Sequence, residues 1–443
     1  MIKLEKYKPN KQTQKIIYVM TCILLVAFGA IFLYKSYALY EEKKDFNVIN
    51  GQVEEPGDLY FAYYVNGTIS KDVPTKDSGL TLDTTKSSCN SGVTVSWDDD
   101  NWHAILDYST YESNSTTRTK CTLYFKEKSY CELNPNAAHC QILALVKDND
   151  KSSTDVYTVP NKTSDTCTYT LAYDGTSDNN LRYVGKNPCN YVTFNGEKAG
   201  WRIIGILNTP EGQRMKLIRT NSLGNLSWDY TSTGSCSNDW TTSTLQTLLN
   251  SGAYYNRTTG QYYNNSTTAT TLDFTSNGLT EVSKNQIDTI TWKLGGTANY
   301  NSSSNGLASH WYTYERGTTI YTGRPTEWPG KVGLMYPSDY GYATSGGSTS
   351  TRTSCLVKEL YNWDSSSYSD CKNNDWLFDS STPQWTLAPY SSNSTAVFSV
   401  YSAGVVRYYI AYLRIAVRPS VYLISKTSIL GGEGTLENPY EIG

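Results

Sequence analysis

The sequence predicts a mainly β chain with some α-helix (α+β), composed of an N-terminal transmembrane helix, a small β-sandwich and a large α+β head. Three observations carry this prediction. Nineteen uncharged, mostly apolar residues, 16–34, follow a lysine-rich start. Beyond them, most of the 38 tyrosines and all 11 tryptophans lie among abundant Ser, Thr, Asn and Gly, a mixture typical of β-strands joined by polar turns. Nine cysteines follow the apolar run, which indicates an exported, disulfide-bonded chain.

The apolar run is long enough to cross a membrane, at roughly 28 Å for a helical rise of about 1.5 Å per residue. We therefore expect residues 1–15 to be a cytoplasmic basic tail, 16–34 a transmembrane signal anchor and 35–50 a stalk. Small residues ending at Ala38 also fit a signal-peptidase site, so cleavage there stays open. The expected location is the cell membrane, single-pass with an extracellular C-terminus, or the exterior if the chain is cleaved.

Charge narrows the choice of partners. Residues 1–39 hold six lysines and one glutamate, which leaves a net charge of −8 on the rest of a chain whose total is −3. A mildly acidic ectodomain without a basic stripe argues against a nucleic-acid partner. The aromatic residues suit either stacking on sugars or packing within strands, and we prefer packing for most of them.

The exported cysteines predict a disulfide framework. Pairing sequence neighbours gives Cys89–Cys121, Cys131–Cys140, Cys167–Cys189 and Cys355–Cys371. Cys22 lies in the apolar run and Cys236 is left over, so both are expected to be unpaired. No C-x-x-C pair occurs and the chain has three histidines, so we expect no metal site.

Residues 51–126 are expected to form the β-sandwich. Residues 58–65 have aromatic strand character, Asn66-Gly67 is a turn signal, residues 92–97 alternate, and 119–125 place Cys121, Leu123 and Phe125 on one face. Residues 127–162 form a helical connector, with the best helical stretch at 137–150.

Residues 163–443 are expected to be one large domain of strands and loops. Residues 200–207 (GWRIIGIL) predict a strong strand with 214–218 as its hairpin partner. Residues 242–249 fit a short helix capped by Ser243 or Thr242. Strands are expected again at 396–401, 405–409 and 413–423, the last interrupted by Pro419.

Two stretches resemble known protein families. Residues 33–125, from LYKSYALYEEKKDFNVINGQV through VSWDDDNWHAILD to TKCTLYF, resemble the N-terminal module of uncharacterised surface proteins of gut Firmicutes. Residues 181–443 carry RYVGKNPCNYVTFNGEKAGWRIIGIL, KLIRTNSLGNLSWDY, GKVGLMYPSDYGYAT and VRPSVYL, similar to a recurrent domain of the same proteins. That domain is similar in plan to DUF6273-type modules of the C-type lectin and formylglycine-generating-enzyme-like fold.

The lectin resemblance implies two chemistries to check. Calcium-dependent lectins use a Pro-containing triplet with Trp-Asn-Asp; this chain has Asn238-Asp239-Trp240 and Asn374-Asp375-Trp376 but lacks the Pro triplet, so calcium is a weak candidate and no other cofactor is expected. Formylglycine-generating enzymes use a C-terminal cysteine pair with copper, whereas Cys355 and Cys371 look structural.

A nucleophilic enzyme fits the sequence poorly. The large domain offers one histidine, His310, without a nucleophile elbow nearby, and we interpret it as a surface residue. Paired carboxylates for glycoside hydrolysis stay open, because their separation depends on the tertiary structure.

The strongest candidate binding segment is residues 310–328, HWYTYERGTTIYTGRPTEW, interpreted as an aromatic loop. Its candidate ligand-binding residues are Trp311, Tyr312, Tyr314, Arg316, Tyr321, Arg324 and Trp328.

The sequence therefore predicts an anchored, adhesin-like bacterial surface protein that binds an extracellular glycan or protein without catalysis. Two alternatives stay open. One is a surface enzyme, acting on cell-wall or host glycans or as a formylglycine-generating-enzyme-like oxidase. The other is a structural component of the envelope.

Overall fold

A computed structural model describes Lys11 and residues 60–90, 92–110, 119–147, 150 and 153–443. The chain divides into two compact units, Met1–Glu127 and Lys128–Gly443. Of the described residues, 34% lie in strands and 18% in helices.

The predicted fold class needs one correction, which concerns the transmembrane helix. The longest described helix, Ala308–Arg316, has nine residues and spans about 14 Å, half of a hydrocarbon core of roughly 30 Å. Among the described residues, no helix is long and apolar enough to cross a membrane. Over the described residues the fold class is therefore mainly β with short helices. The predicted tail, anchor and stalk (1–15, 16–34, 35–50), with Cys22 and Ala38, lie outside the described residues except for Lys11.

The first unit has seven described strands. They are β1 (Tyr60–Val65), β2 (Thr68–Ser70), β3 (Leu80–Leu82), β4 (Ser88–Cys89), β5 (Thr94–Asp98), β6 (His103–Asp107) and β7 (Lys120–Glu127), with a 3₁₀ turn at Lys76–Ser78. Five strands form one sheet, β2-β1-β7-β3 with β4 also on β7, while β5 and β6 form a separate hairpin. Asn66 and Gly67 both have positive φ, which matches the tight turn that joins β1 to β2.

An aromatic core joins the sheet and the hairpin of this unit. Cys121, Leu123 and Phe125 are all buried on one face of β7, as their alternation predicts. Trp97 and Trp102 from the hairpin side place their rings 5.1 and 6.3 Å from the ring of Phe125. The edge-to-face contact of Trp97 with Phe125 adds to the burial energy of this small core.

The second unit contains the remaining elements. Its strands are β8 (Tyr157–Thr158), β9 (Thr170–Tyr173), β10 (Leu181–Tyr183), β11 (Tyr191–Phe194), β12 (Glu197–Thr209), β13 (Gly212–Arg219), β14 (Asn225–Leu226), β15 (Thr259–Tyr262), β16 (Thr270–Asp273), β17 (Ile290–Lys293), β18 (Glu327–Gly330), β19 (Val332–Gly333), β20 (Gln384–Pro389), β21 (Ala396–Val400), β22 (Val406–Ile410), β23 (Ile415–Ala416), β24 (Ser420–Tyr422), β25 (Ile429–Gly431) and β26 (Tyr440–Ile442). Its α-helices are α1 (Tyr130–Leu133), α2 (Ala138–Leu143), α3 (Thr244–Asn250), α4 (Ala253–Asn256), α5 (Glu281–Gln286), α6 (Ala308–Arg316), α7 (Pro337–Tyr342), α8 (Arg352–Leu356) and α9 (Ser369–Asn373). Three 3₁₀ turns complete it, at Trp240–Thr242, Leu360–Asn362 and Ser366–Tyr368.

Two sheets organise this unit. A ten-stranded sheet runs β19-β24-β13-β12-β10-β9-β8 with β11, β26 and β25 attached, and a five-stranded sheet runs β14-β23-β20-β21-β22. The predicted hairpin is its longest antiparallel pair, with Trp201 opposite Arg219 and Thr209 opposite Gly212. Two further two-stranded sheets, the hairpin β15–β16 and the antiparallel pair β17–β18, lie outside both sheets.

The aromatic content serves mainly to fill this core. Seven of the eleven tryptophans are fully buried: Trp201, Trp228, Trp240, Trp292, Trp311, Trp363 and Trp385. Several meet one another, as in the ring pair of Trp228 and Trp240 at 5.2 Å. Packing is therefore the main role of the tryptophans.

All four predicted disulfides are present. They are Cys89–Cys121, Cys131–Cys140, Cys167–Cys189 and Cys355–Cys371. Cys236 is a free, partly buried thiol. Each bridge closes a short loop, worth roughly 3 kcal/mol in the chain-entropy account for a loop of about 15 residues.

The expected connector, 127–162, lies largely in the second unit. The single helix predicted at 137–150 is shorter, since α2 ends at Leu143 and a bend follows. Ala138 donates its N–H to the carbonyl of Thr427 at 2.7 Å, and Ile142 is buried in the large core. Through these contacts α2 packs into the second unit itself.

Candidate functional site

A cleft of about 310 Å³ opens in the second unit, where segments distant in sequence meet. Its buried lining is apolar or aromatic: Ile290 and Trp292 of β17, Tyr336 just before α7, and Tyr422 of β24. Its more exposed lining is mostly polar and consists of Asp178, Asn208, Thr209, Pro210, Thr291, Lys293 and Arg316.

The aromatic lining packs over a buried lysine. The Nζ of Lys216 lies 4.5 Å from the ring centroid of Tyr336 and 5.3 Å from those of Trp292 and Tyr422. The Tyr336 hydroxyl donates to the carbonyl oxygen of Lys293 at 2.9 Å, which ties α7 to the β17 strand. Cation–π contacts in a desolvated site are worth about 2 kcal/mol, so the ammonium group of Lys216 helps to fix the positions of the three rings.

The lysine belongs to a buried ion network centred on Asp339. Lys216 Nζ lies 2.6 Å from one Asp339 oxygen and Arg182 Nη1 lies 2.6 Å from the other. Arg182 also contacts Asp174 at 3.2 Å. Burial alone would raise the pKa of Asp339, but Lys216 and Arg182 lower it to about 2. Two cations thus face two carboxylates in a fully buried cluster beneath the cleft.

A hydrogen-bonded turn positions the polar side of the cleft. Asp174 Oδ1 accepts the N–H of Thr176 at 3.1 Å and of Asn180 at 3.0 Å, which closes the turn that carries Asp178. Asn180 Oδ1 then accepts the N–H of Asn208 at 2.8 Å. Side-chain acceptors of this kind favour turns over strands, so the sequence fixes the loop locally.

Arg316, the last residue of α6, spans the cleft wall. Its guanidinium carbon lies 3.3 Å from the ring centroid of Tyr312, and its Nε lies 3.8 Å from Asp178. Its Nη1 donates to Glu315 at 3.4 Å. The Tyr312 hydroxyl donates to the same Asp178 carboxylate. A stacked, paired guanidinium presents a planar donor edge of the kind that recognises carboxylates and hydroxyl pairs.

Glu315 lies behind Arg316 and is fully buried. Its carboxylate accepts the N–H of Ser338 at 2.8 Å and the Ser338 hydroxyl at 2.5 Å. Burial raises the pKa of Glu315 to about 7, although Arg316 and Ser338 offset part of the rise. This carboxyl therefore changes charge near neutral pH directly behind the cleft wall.

The prediction that residues 310–328 form a loop is wrong for the first third of the segment, and the binding role of its residues stays a prediction. Residues 308–316 form helix α6, and Trp311 and Tyr312 are buried. The ring of Trp311 lies 4.6 Å from that of Phe398, so it belongs to the core. The helix forms because Trp311, Tyr312 and Glu315 share one face that distant strands cover.

The other predicted binding residues are spread over different surroundings. Tyr314 is partly buried against Trp311, at 6.3 Å between rings. Trp328 lies in strand β18, with its ring 6.0 Å from that of Trp240. Arg324 Nε donates to the side chain of Asn238 at 3.3 Å, and Tyr321 lies near it. Of the seven predicted residues, Arg316 is the one that lines the cleft.

The two candidate calcium motifs are structural turns. Asn238 Nδ2 donates to three backbone carbonyls, those of Tyr390, Asn393 and Ala396. Asp239 accepts the N–H of Thr241 at 3.0 Å and caps a 3₁₀ turn. In the second motif, Asp375 accepts the N–H of Leu377 at 2.9 Å. Asp239 Oδ1 and Asp375 Oδ1 thus serve the local turns, while Asp375 Oδ2 is buried without a hydrogen-bond partner among the described residues.

Two further sequence candidates also have structural surroundings. Cys355 and Cys371 are both fully buried and joined to each other, within a core that includes Trp363. His310 is partly buried, and its Nδ1 accepts the N–H of Leu307 at 3.3 Å at the start of α6. Neither group faces the cleft.

Sequence reasoning missed the aromatic lining. Tyr336 and Tyr422 lie within the marker segments GKVGLMYPSDYGYAT and VRPSVYL, and Trp292 lies in a short alternating strand. Nothing local marks them, because their convergence depends on pairing β13 with β24.

The chain matches no family model, no curated protein and no solved structure. The resemblance to DUF6273-type and lectin-like domains therefore stays a prediction.

Proposed function

We propose that this chain is an exported, disulfide-stabilised binding protein that holds a carbohydrate group in the cleft without catalysis. The observation that carries the proposal is an apolar floor, formed by the edges of the buried rings of Trp292, Tyr336 and Tyr422, beside the polar groups of Asp178 and Arg316. A sugar unit offers hydroxyls to the polar groups and an apolar face to such a floor. Four disulfides support an oxidising, extracytoplasmic setting.

The volume of the cleft limits what it could hold. At about 310 Å³ it lies at the lower end of ligand pockets, which run from about 300 to 1,000 Å³. This favours a single sugar unit or the terminal unit of a longer glycan. The buried ion network beneath the rings keeps them from rearranging, which lowers the ordering cost of binding.

Catalysis is less well supported than binding. Glycoside hydrolysis uses two carboxyl groups about 5–9.5 Å apart across the substrate. Of the described residues that line the cleft, Asp178 is the one carboxylate, and it is engaged by Tyr312 and Arg316. The hydrolase alternative rests on Glu315, whose pKa of about 7 would suit a general acid. Its full burial and its bonds to Ser338 favour a structural role instead.

A glycan array with the oxidised full-length chain tests the proposal, with affinities for any hit measured by calorimetry. Arg316→Gln should weaken binding by roughly tenfold or more, because a charge-assisted hydrogen bond contributes about 1.5–3 kcal/mol. Arg324→Gln is the matched control, since Arg324 lies in the predicted binding segment but not in the cleft lining. The Arg324→Gln variant should bind the glycan with the affinity of the wild type.

Three outcomes would contradict the proposal. An equal loss of glycan affinity in both variants, or a loss in Arg324→Gln alone, would place the binding site on the segment after α6. Hydrolysis of a bound glycan that is abolished by Glu315→Gln would replace binding with catalysis. A folded protein that binds nothing on the array would favour a protein ligand or a structural role in the envelope.

A further inference from the structure

A second group of chemically reactive side chains lies at the start of the second unit, apart from the cleft residues. Cys131 of α1 and His139 and Cys140 of α2 place their sulfur and imidazole nitrogen atoms within 4.8 Å of one another. In the part of the chain that the structure describes, no other cluster of three or more His, Cys, Asp or Glu side chains meets this spacing. Cys131 and Cys140 are joined as a disulfide.

The backbone holds these residues together independently of the disulfide. Ser129 and Glu132 form a reciprocal capping box that starts α1. The Tyr130 hydroxyl donates to the carbonyl of Ser425 at 3.1 Å, and its ring stacks on the imidazole of His139 at 5.2 Å. Ala138 anchors α2 through its bond to Thr427. Reducing the disulfide would therefore leave both cysteines beside the histidine.

The histidine is placed as a ligand would be. His139 is 4% exposed, and within the described chain its imidazole has no hydrogen-bonding partner, so a ring nitrogen is free to coordinate. Cys140 is equally buried, while Cys131 is partly exposed and open to a reductant. The Cα atoms of the two cysteines are 5.2 Å apart. A tetrahedral zinc ion with Zn–S bonds of about 2.3 Å requires sulfurs about 3.8 Å apart, within reach of side-chain rotation.

We propose that Cys131, His139 and Cys140 form a redox-gated site for a thiophilic divalent cation such as Zn²⁺. In the oxidised chain the disulfide occupies both sulfurs and the site is closed. An external dithiol opens it: two electrons and two protons pass to the Cys131–Cys140 bond, which becomes two thiols, and the dithiol becomes a disulfide. The cation then displaces the two thiol protons to solvent and binds two thiolates and the imidazole, with its fourth position open.

Cobalt(II) is the probe, because thiolate ligands give it a charge-transfer absorption whose intensity reports their number. The full-length chain is reduced with a dithiol, desalted without oxygen and titrated with Co²⁺, then with Zn²⁺ to displace it. We expect one cobalt bound with two-thiolate intensity in the reduced chain and none in the oxidised chain. His139→Phe, which keeps the stacked ring, should weaken binding at least about tenfold, since loss of a second-shell partner alone costs about 10–100-fold. His103→Ala is the histidine control and should bind as the wild type does.

Alkylation mapping keeps the test independent of how reduction affects the other disulfides. In a partially reduced sample, Zn²⁺ should slow the alkylation of Cys131 and Cys140 and leave the other cysteines unaffected. The proposal is overturned if the Cys131→Ser/Cys140→Ser variant retains the cobalt absorption. It is equally overturned if the reduced wild type binds no cobalt, or if zinc protects other cysteines instead.

Discussion

Glu315 makes the most quantitative prediction, because a buried carboxyl with a raised pKa changes stability with pH. The ordinary pKa of a glutamate is 4.5, and burial raises that of Glu315 to about 7 in the folded chain. The folded state therefore takes up a proton that the unfolded state has released. Each pKa unit corresponds to about 1.36 kcal/mol. The protonated Glu315 therefore adds its full contribution to the free energy of unfolding below pH 4.5, and this contribution falls by about 3 kcal/mol as the pH rises through 7.

Glu315→Gln removes this titration while keeping the shape of the side chain. The amide oxygen can still accept the Ser338 N–H, and the amide nitrogen can donate to the Ser338 hydroxyl. The free energy of unfolding of the variant relative to the wild type should therefore rise by about 3 kcal/mol between pH 4.5 and pH 8. Other buried carboxyls whose pKa burial raises, Asp229 and Asp375, are present in both proteins and cancel in the comparison.

Urea unfolding followed by tryptophan fluorescence measures this difference, since nine of the eleven tryptophans lie in the second unit. Glu281→Gln is the control, because the Glu281 side chain is 83% exposed and should show no comparable trend. A difference between Glu315→Gln and wild type that stays flat, or falls, from pH 4.5 to pH 8 would refute the reasoning.

Three further tests by substitution address the packing, the ion network and one disulfide. Trp311→Ala should cost about 3–5 kcal/mol in urea unfolding because its ring is fully buried, whereas a surface loop residue would cost less than about 0.5 kcal/mol. Asp339→Asn should cost about 3–5 kcal/mol by leaving buried cations unpaired, and adding Lys216→Met should restore part of it; equal stability of the single and double variants would contradict this. Removing the Cys355–Cys371 bridge by alanine substitution should lower stability by about 2–5 kcal/mol, and an unchanged urea midpoint would show that the bridge contributes nothing.

Local patterns predicted the strands and bridges well. The alternation at 200–207 and 214–218 predicted the central hairpin, which the structure extends to Glu197–Thr209 and Gly212–Arg219. Strand periodicity and turn residues act over a few neighbours, so they can be read without tertiary information. Neighbour pairing of cysteines succeeded for a similar reason, because each bridge joins cysteines at most 32 residues apart in sequence.

Helix α6 shows where such reasoning fails. The aromatic, Thr-rich composition of 310–328 has no clear apolar period, yet residues 308–316 are helical. Their buried face is completed by Phe398, almost ninety residues further along the chain. The cleft has the same origin, since Asp178, Arg316 and Tyr422 meet only after the sheet has formed. Convergence of distant residues leaves no local trace in the sequence.

Hydrogen–deuterium exchange of the full-length chain, with and without the glycan that binds it most tightly, tests the central claim most directly. The account predicts slower exchange in Ile290–Lys293 and at the C-terminal end of Ala308–Arg316, which frame the cleft. Protection confined to residues 317–328, with strand Ile290–Lys293 unchanged, would contradict it and place the ligand on the segment after α6.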